Sequence, residues 1–299
     1  MSTQRAFSSP TPKALLFDIG GVCVVSPMRA ILDYELAQSI PPGWVNFSIS
    51  RTAPNGSWHR LERGEIKLDT DFFAAFSADL RRPELWREHC AKAAAKLKRE
   101  DSGEKMGLEA KSTTTQALVT RADAEKPKTP PLPDIDAEWM FWEMMRASRQ
   151  PDPYMFPALK KLKASKKFLM GALSNTSIFP EGHPYNAKPE NPEQDVKGIF
   201  DVFVSSAHVG MRKPDPKIYD LAMDWLREAW RRDWGGRDGR DAVLGPGDVV
   251  FLDDIGENLK GAKRLGMRTI KVILGQTREA VRELEHITGM SLLEEASKL

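Results

Sequence analysis

Cysteine is scarce in this chain of 299 residues, with only Cys23 and Cys90. Two thiols make neither a disulfide framework nor a zinc cluster, which points to a reducing compartment. An excess of charge of one sign is also missing. The 44 Lys and Arg residues nearly balance the 42 Asp and Glu residues, leaving +2. A balance of that kind gives no electrostatic footprint for nucleic acid. No apolar run approaches the roughly 20 residues that a membrane-spanning helix requires, and the first residues lack the apolar core of a secretory signal. What is present is ordinary for a soluble chain: 41% hydrophobic and 29% charged residues, enough for one large domain or two modest ones.

The chain is organised around residues 13–25, KALLFDIGGVCVV. The apolar run over 14–17 is bounded by turn residues and reads as a buried parallel strand. It ends at Asp18, at the strand end where open α/β sheets place their ligands. Gly20 and Gly21 follow, and they allow a sharp turn and a close backbone approach. A strand closed by an Asx turn would look the same, so the rest of the chain has to decide.

Residues 1–12 are expected to be disordered. Helical spacing covers 28–39 and is closed by Pro41, Pro42 and Gly43. Residues 58–76 read as two helices broken at Gly64, the second capped by Asp69 or Thr70. A further helix covers 83–98. From 99 to 133 the chain turns Lys-, Glu-, Thr- and Pro-rich with almost no aromatics, a composition expected to be a disordered insertion. Order resumes near Ile135, where Trp139, Phe141, Trp142, Met144 and Met145 crowd into two helical turns. That helix is either a buried packing element or an apolar wall for a greasy substrate. After Pro151 the texture alternates: helix 153–165, strand 168–173, strand 200–205, helix 216–234, strand 249–252, helix 257–265, strand 269–274 and helix 278–287. Helices between strands imply right-handed crossovers and a parallel sheet. The expected fold is therefore α/β, a Rossmann-like parallel sheet core formed by 13–25 and 151–299. An all-helical cap domain, 26–150, is inserted between its first two strands.

Three strands end in polar residues: Asp18, Ser174-Asn175 and Asp253-Asp254. Lys213 follows a fourth in GMRKPDPKIY. In a parallel sheet these ends share one edge. Carboxylates from two strands can share a hard cation, and Mg²⁺ takes such oxygens together with water and phosphate. A lysine beside them neutralises phosphoryl oxygens. Ser174 and Asn175 can hydrogen-bond a phosphoryl group. A carboxylate without a serine or cysteine partner can itself be the nucleophile. Each piece alone has a structural explanation, since Lys-Pro-Asp is a common turn and Asp-Asp a common helix cap. The four in order make a coincidence hard to sustain.

The stretches FDIGGV, LSNT, RKPDPKIY and FLDDIGENLKGAKRLGM resemble the motifs of the haloacid dehalogenase superfamily. The resemblance runs from Lys13 to about Leu274. WHRLERGEI and the position of the cap look closest to the phosphatase-type domain of soluble epoxide hydrolase and to acyl-CoA-dehydrogenase-linked relatives. The resemblance implies that Asp18 is the nucleophile and a Mg²⁺ ligand, with the Gly20 carbonyl, Asp253 and Asp254 completing the metal site. It implies phosphate binding by Ser174 and Asn175, bracing by Lys213, and an ordering role for Asn258. It also implies a small-molecule phosphate substrate and a two-step hydrolysis. One position departs from the pattern: the phosphatases usually carry a second aspartate two residues after the nucleophile, and here Gly20 stands there. Three explanations remain open: a good leaving group, a substitute from the cap (His59 or Glu65), or a degenerate site. Read in isolation, His59 fits a surface histidine better than a substrate contact, and Arg60 and Arg63 either meet an anion or pair with Glu62 and Glu65. The alternatives to a phosphatase are a 2-haloacid dehalogenase using the same Asp18 and a catalytically weak module that holds a phosphate ligand.

The last three residues, Ser297, Lys298 and Leu299, spell the tripeptide read by the peroxisomal import receptor. The expectation is a peroxisomal location, with the cytoplasm as the alternative.

Overall fold

The computed structural model describes residues 10–101, 129–191, 194–236, 241 and 243–294. Residues 297–299 and most of 99–133 lie outside this set, so the tripeptide and the expected insertion are not among the described residues. Two expectations at its margins are corrected. Pro10 accepts a hydrogen bond from Arg268 Nη1 at 2.7 Å and Pro12 is buried, so order begins before Lys13. Residues 99–101 continue the preceding helix.

Five parallel strands form the sheet: β1 (Ala14–Phe17), β2 (Leu169–Ser174), β3 (Val202–Ser205), β4 (Val249–Asp253) and β5 (Arg268–Lys271), in the order β3-β2-β1-β4-β5. Both faces of a parallel sheet are covered, so its strands are apolar at successive positions rather than alternate ones. The pleat then divides them between two cores. Leu15, Phe17, Val250 and Leu252 face one side. They pack there with α7 (Met155–Ser165) and α11 (Thr277–Thr288). Leu16, Val249 and Phe251 face the other, against α9 (Pro216–Asp233) and α10 (Gly256–Arg264). The broad apolar face of α9 that the sequence shows is buried at Ile218, Ala222, Leu226 and Trp230.

Among the described residues, six helices lie between β1 and α7: α1 (Pro27–Ala37), α2 (Trp44–Arg51), α3 (Ser57–Glu62), α4 (Thr70–Leu80), α5 (Pro83–Asp101) and α6 (Ala137–Ala147). They enclose a third core of their own, which includes Trp44, Phe72, Phe76, Phe141 and Met144. Asp69 caps α4 by accepting from the Phe72 amide at 3.1 Å. Helix α2 has no counterpart in the sequence reading. The chain leaves and re-enters the sheet domain at one point. There the Val25 amide donates to the Gln150 carbonyl at 2.8 Å, and the Asp152 amide to the Cys23 carbonyl at 3.0 Å.

Candidate active site

Register builds the site. Phe17 lies level with Leu252 on one side and Ala172 on the other. Asp18, Asp253 and Ser174 therefore emerge together at the C-terminal edge. The Asp18 amide continues the ladder by donating to the Leu252 carbonyl at 2.8 Å. The chain then reverses: the amides of Cys23 and Val24 return to the Ile19 carbonyl at 2.9 and 3.1 Å. Gly21 sits in the left-handed region at φ 76°. A Cβ there would lie 2.6 Å from Asp254 Oδ2, so this glycine both makes the turn and leaves room for Asp254 to lie over it.

Lys213 holds the centre. Its side chain is only 1% exposed, and its Nζ lies 2.9 Å from Asp18 Oδ1 and 2.7 Å from Asp253 Oδ2. The Ile19 amide also donates to Asp18 Oδ1, at 2.7 Å. Asp253 accepts from Asn258 Nδ2 at 3.1 Å on both oxygens and from the Ile255 amide at 2.7 Å. Asn258 in turn accepts on its carbonyl from the Tyr219 hydroxyl at 2.9 Å. Asn258 thus ties the Asp253 carboxylate to α10 (Gly256–Arg264). Carboxylate oxygens of Asp18, Asp253 and Asp254 lie within 4.8 Å of one another, a donor set that can hold a metal ion.

The electrostatics of this cluster are lopsided. Three carboxylates face one ammonium, which leaves two negative charges uncompensated when all are ionised. Burial pushes Asp18 up to about 6, with Lys213 opposing the shift and Asp253 adding to it. Burial, with the charges of Asp18 and Asp253, pushes Asp254 up to about 7. Lys213 loses ionisation to burial, but the two carboxylates outweigh that and hold it above its ordinary value.

Asn175 contacts the backbone of Lys213. Its Nδ2 donates to the Lys213 carbonyl at 3.1 Å and its Oδ1 accepts from the Lys213 amide at 2.8 Å. One bond at each end of the amide ties it to the lysine backbone, so Asn175 positions Lys213, and its second N–H is left over. Ser174 is buried, and its hydroxyl makes one long bond, 3.5 Å to the Asn175 carbonyl. Gly20 sits in the turn, bridged to Val24.

His59 is not a surface residue. It is 4% exposed, and its Nδ1 has no hydrogen-bond partner. Burial, with Arg212 and Arg63 nearby, lowers it to about 4. Glu65 is tied to Arg63 at 2.6 Å. Arg60 lies 3.7 Å from the same carboxylate. Glu62 instead reaches Arg212 of the sheet domain at 2.6 Å. That contact, absent from the sequence reading, belongs to a seam at α8 (Ser206–Val209). Ser206 Oγ donates to the Glu62 carbonyl at 2.6 Å and accepts from the Thr176 amide at 2.8 Å. The seam therefore connects the helical insertion to the loop after Ser174 and to the residue before Lys213. The only trace in the sequence is that Arg212 adjoins Lys213. A second seam was equally hidden. Trp142 of α6 stacks on His183 at 4.9 Å, and His183 on Phe179 at 5.3 Å. Both partners come from the loop after β2. Phe141 and Met144 are buried, as a packing helix requires, whereas Trp139 is half exposed.

No family model matches the chain. It is 27% identical to acyl-CoA dehydrogenase family member 10 of Mus musculus over 94% of its own length and 19% of that protein. It is 40% identical to bifunctional epoxide hydrolase 2 of Sus scrofa over 100 residues, 33% of this chain and 15% of that one. The chain thus spans less than a fifth of the length of these curated relatives. Among solved structures it is similar to a HAD family enzyme from Bacteroides thetaiotaomicron in its magnesium complex. The identity is 19% and the TM-score 0.45, over 89% of this chain and 96% of that one. Asp18, Lys213 and the Asp253-Asp254 pair thus gather at one sheet edge of a parallel α/β fold, in the order in which the sequence carries them.

Proposed function

We propose that the chain is a magnesium-dependent phosphatase working through an aspartyl-phosphate on Asp18, with a small or amphipathic organic phosphate as substrate. The observation that carries this reading is the uncompensated charge at the strand ends. Asp18, Asp253 and Asp254 converge within 4.8 Å around a single lysine. A hard divalent cation suits that oxygen-only donor set and its charge. These three carboxylates, with the Gly20 carbonyl, would hold Mg²⁺, which supplies charge neutralisation to phosphoryl oxygens. A dehalogenase built on Asp18 expels halide and has no need of the Asp253-Asp254 pair, so this pair favours the phosphatase.

The residues then divide the work. Asp18 attacks phosphorus in line through Oδ2, since Lys213 and the Ile19 amide both hold Oδ1. Lys213 keeps Asp18 ionised despite its burial and faces the equatorial charge of the transferring group. Asn175 fixes that lysine, and Ser174 Oγ donates to a phosphoryl oxygen. Water hydrolyses the aspartyl-phosphate and restores Asp18. Helices α1–α6 act as a cap that shields both steps from bulk water. Phosphate release from a panel of phosphate monoesters and acyl phosphates tests this reading. Turnover should require Mg²⁺ and vanish in Asp18→Asn. Turnover that is indifferent to chelator, or that survives in Asp18→Asn, contradicts it.

A further inference from the structure

The two loops that carry Asn175 and Lys213 meet one residue of the helical insertion at two points. Glu62 ends α3 and is buried. Its carboxylate accepts from Arg212 Nε at 2.6 Å, and Arg212 is the residue before Lys213. Its carbonyl accepts from Ser206 Oγ at 2.6 Å. Ser206 Oγ accepts in turn from the Thr176 amide at 2.8 Å, and Thr176 is the residue after Asn175. The ring closes where the Asn175 side chain bonds the amide and the carbonyl of Lys213. Ser206 is fully buried. The side chains of Glu62 and Arg212 are 12% and 20% exposed, so their ion pair is held largely out of water. The insertion is seated here by a separate contact as well. Gly64 packs so closely on the Ala207 carbonyl that no Cβ fits between them, and that contact does not use the Glu62 side chain.

We infer that Glu62 is a positioning residue for Lys213: through one carboxylate, the helical insertion sets the loop that presents the lysine to Asp18. Its effect on turnover rests on the phosphatase reading; its effect on the loop does not. Lys213 Nζ has to meet Asp18 Oδ1 at 2.9 Å and Asp253 Oδ2 at 2.7 Å together. Asn175 fixes the backbone of that lysine, and Glu62 fixes the residue before it. Removing the Glu62 carboxylate leaves the Arg212 guanidinium partly buried without its counter-charge. The guanidinium then turns to water or to another acceptor, and the chain at 212 carries Lys213 with it. A misplacement of about 1 Å at a reacting centre can cost about 10²-fold in rate. Glu62 acts through Arg212 and not on the phosphoryl group. The Ser206 bond to its carbonyl and the Gly64 contact survive a change of its side chain, so the insertion stays docked while its link to the lysine is cut.

The experiment uses the full chain as wild type, Glu62→Gln, Glu62→Ala, Arg212→Ala and the double variant Glu62→Ala/Arg212→Ala. The first readout is hydrogen exchange, by NMR, of the Lys213 amide, which donates to Asn175 Oδ1. Its reference is the Arg60 amide, which donates to the Gly56 carbonyl at 3.0 Å. The second readout is the steady-state kinetics of para-nitrophenyl phosphate with Mg²⁺. In Glu62→Ala, exchange at Lys213 should rise at least about 10-fold while Arg60 keeps its wild-type rate. There kcat and kcat/KM should fall together, by about 10–10²-fold. Glu62→Gln should show a smaller loss, because its amide oxygen still accepts from Arg212. The double variant should be no worse than the worse single variant. A raised KM with kcat unchanged overturns the inference, and so does wild-type exchange at Lys213 in Glu62→Ala. Exchange rising alike at Lys213 and Arg60 also overturns it, since that marks a loosened insertion. If Glu62→Ala does not fold, Glu62→Gln decides by the same two readouts. A wild type inert towards this ester and every compound of the phosphate panel contradicts the phosphatase reading instead, and exchange at Lys213 then decides the positioning by itself.

Discussion

At the edge of the sheet, ionisable side chains are buried and held by short polar contacts: Lys213 on Asp18 and Asp253, Asn258 on Asp253, Asn175 on the lysine backbone. In the helical insertion most buried groups are rings and aliphatic chains, with a few held polar groups such as Glu35, which accepts from the Gly43 and Val45 amides at 2.6 and 2.8 Å. Phe72 stacks on Phe76 at 5.6 Å, and Trp86 meets Trp44 edge-on at 5.0 Å. Among the described residues, the two buried polar side-chain atoms without a partner, Trp44 Nε1 and His59 Nδ1, both belong to the insertion. The first region depends on directional contacts that fail if one member is lost. The second depends on volume and tolerates substitutions that keep it. The sheet edge is therefore built for fixed chemistry, and the insertion for shape.

The sharpest way to break that contrast is Lys213→Met. It keeps most of the side-chain volume but leaves Asp18 and Asp253 buried without their cation. Removing one partner of a buried ion pair typically costs about 3–5 kcal/mol. Chemical denaturation should show a loss of that size, and added Mg²⁺ should recover part of it. A variant as stable as wild type would mean that the carboxylates are not strained against each other. The next effect falls on the seam between the regions. Gly64 has φ 66°, and a Cβ there would lie 2.2 Å from the Ala207 carbonyl oxygen. Gly64→Ala combines a left-handed alanine with overpacking, together about 2–4 kcal/mol. It should loosen α3 from α8, read as faster hydrogen exchange in both; unchanged exchange would show that the seam does not hold the insertion.

The smallest effect is a pH dependence inside the insertion. His59 is lowered to about 4 by burial and by its arginine neighbours, whereas the unfolded chain protonates it near 6.5. Between those values the unfolded state binds more protons, so the His59 contribution to stability falls as pH drops from about 6.5 towards 4 and is constant above. The stability difference between wild type and His59→Gln should follow that window, changing by about 1–2 kcal/mol once solvent screening is allowed for. A difference independent of pH would place His59 in water after all.

The same contrast explains what could be read from the chain beforehand. Asp18, Asp253 and Ser174 were legible because a strand end is a local feature: an apolar run stops at a polar residue, and parallel register does the rest. The role of Asn175 was not legible, since an amide beside the phosphate position looks the same whether it points to a ligand or, as here, to the backbone of Lys213. His59 was open for a similar reason. Helix α3 has six residues, too few for periodicity to assign a buried face. Helix α2, WVNFSISR, is short and mixes polar with apolar residues at every spacing. Glu62 and Arg212 are 150 positions apart, and only the folded chain brings them together. The aromatic seam of Trp142, His183 and Phe179 joins a helix to an irregular loop, which carries no period to detect.

The central claim is that Asp18 carries the phosphoryl group. It is tested most directly by mixing the enzyme with Mg²⁺ and a turned-over phosphate, quenching in acid within the first turnover, and mapping the adduct by peptide mass spectrometry. The account predicts a phosphoryl group on Asp18, absent in Asp18→Asn and lost again on longer incubation. Steady phosphate release with Asp18 never modified would contradict it.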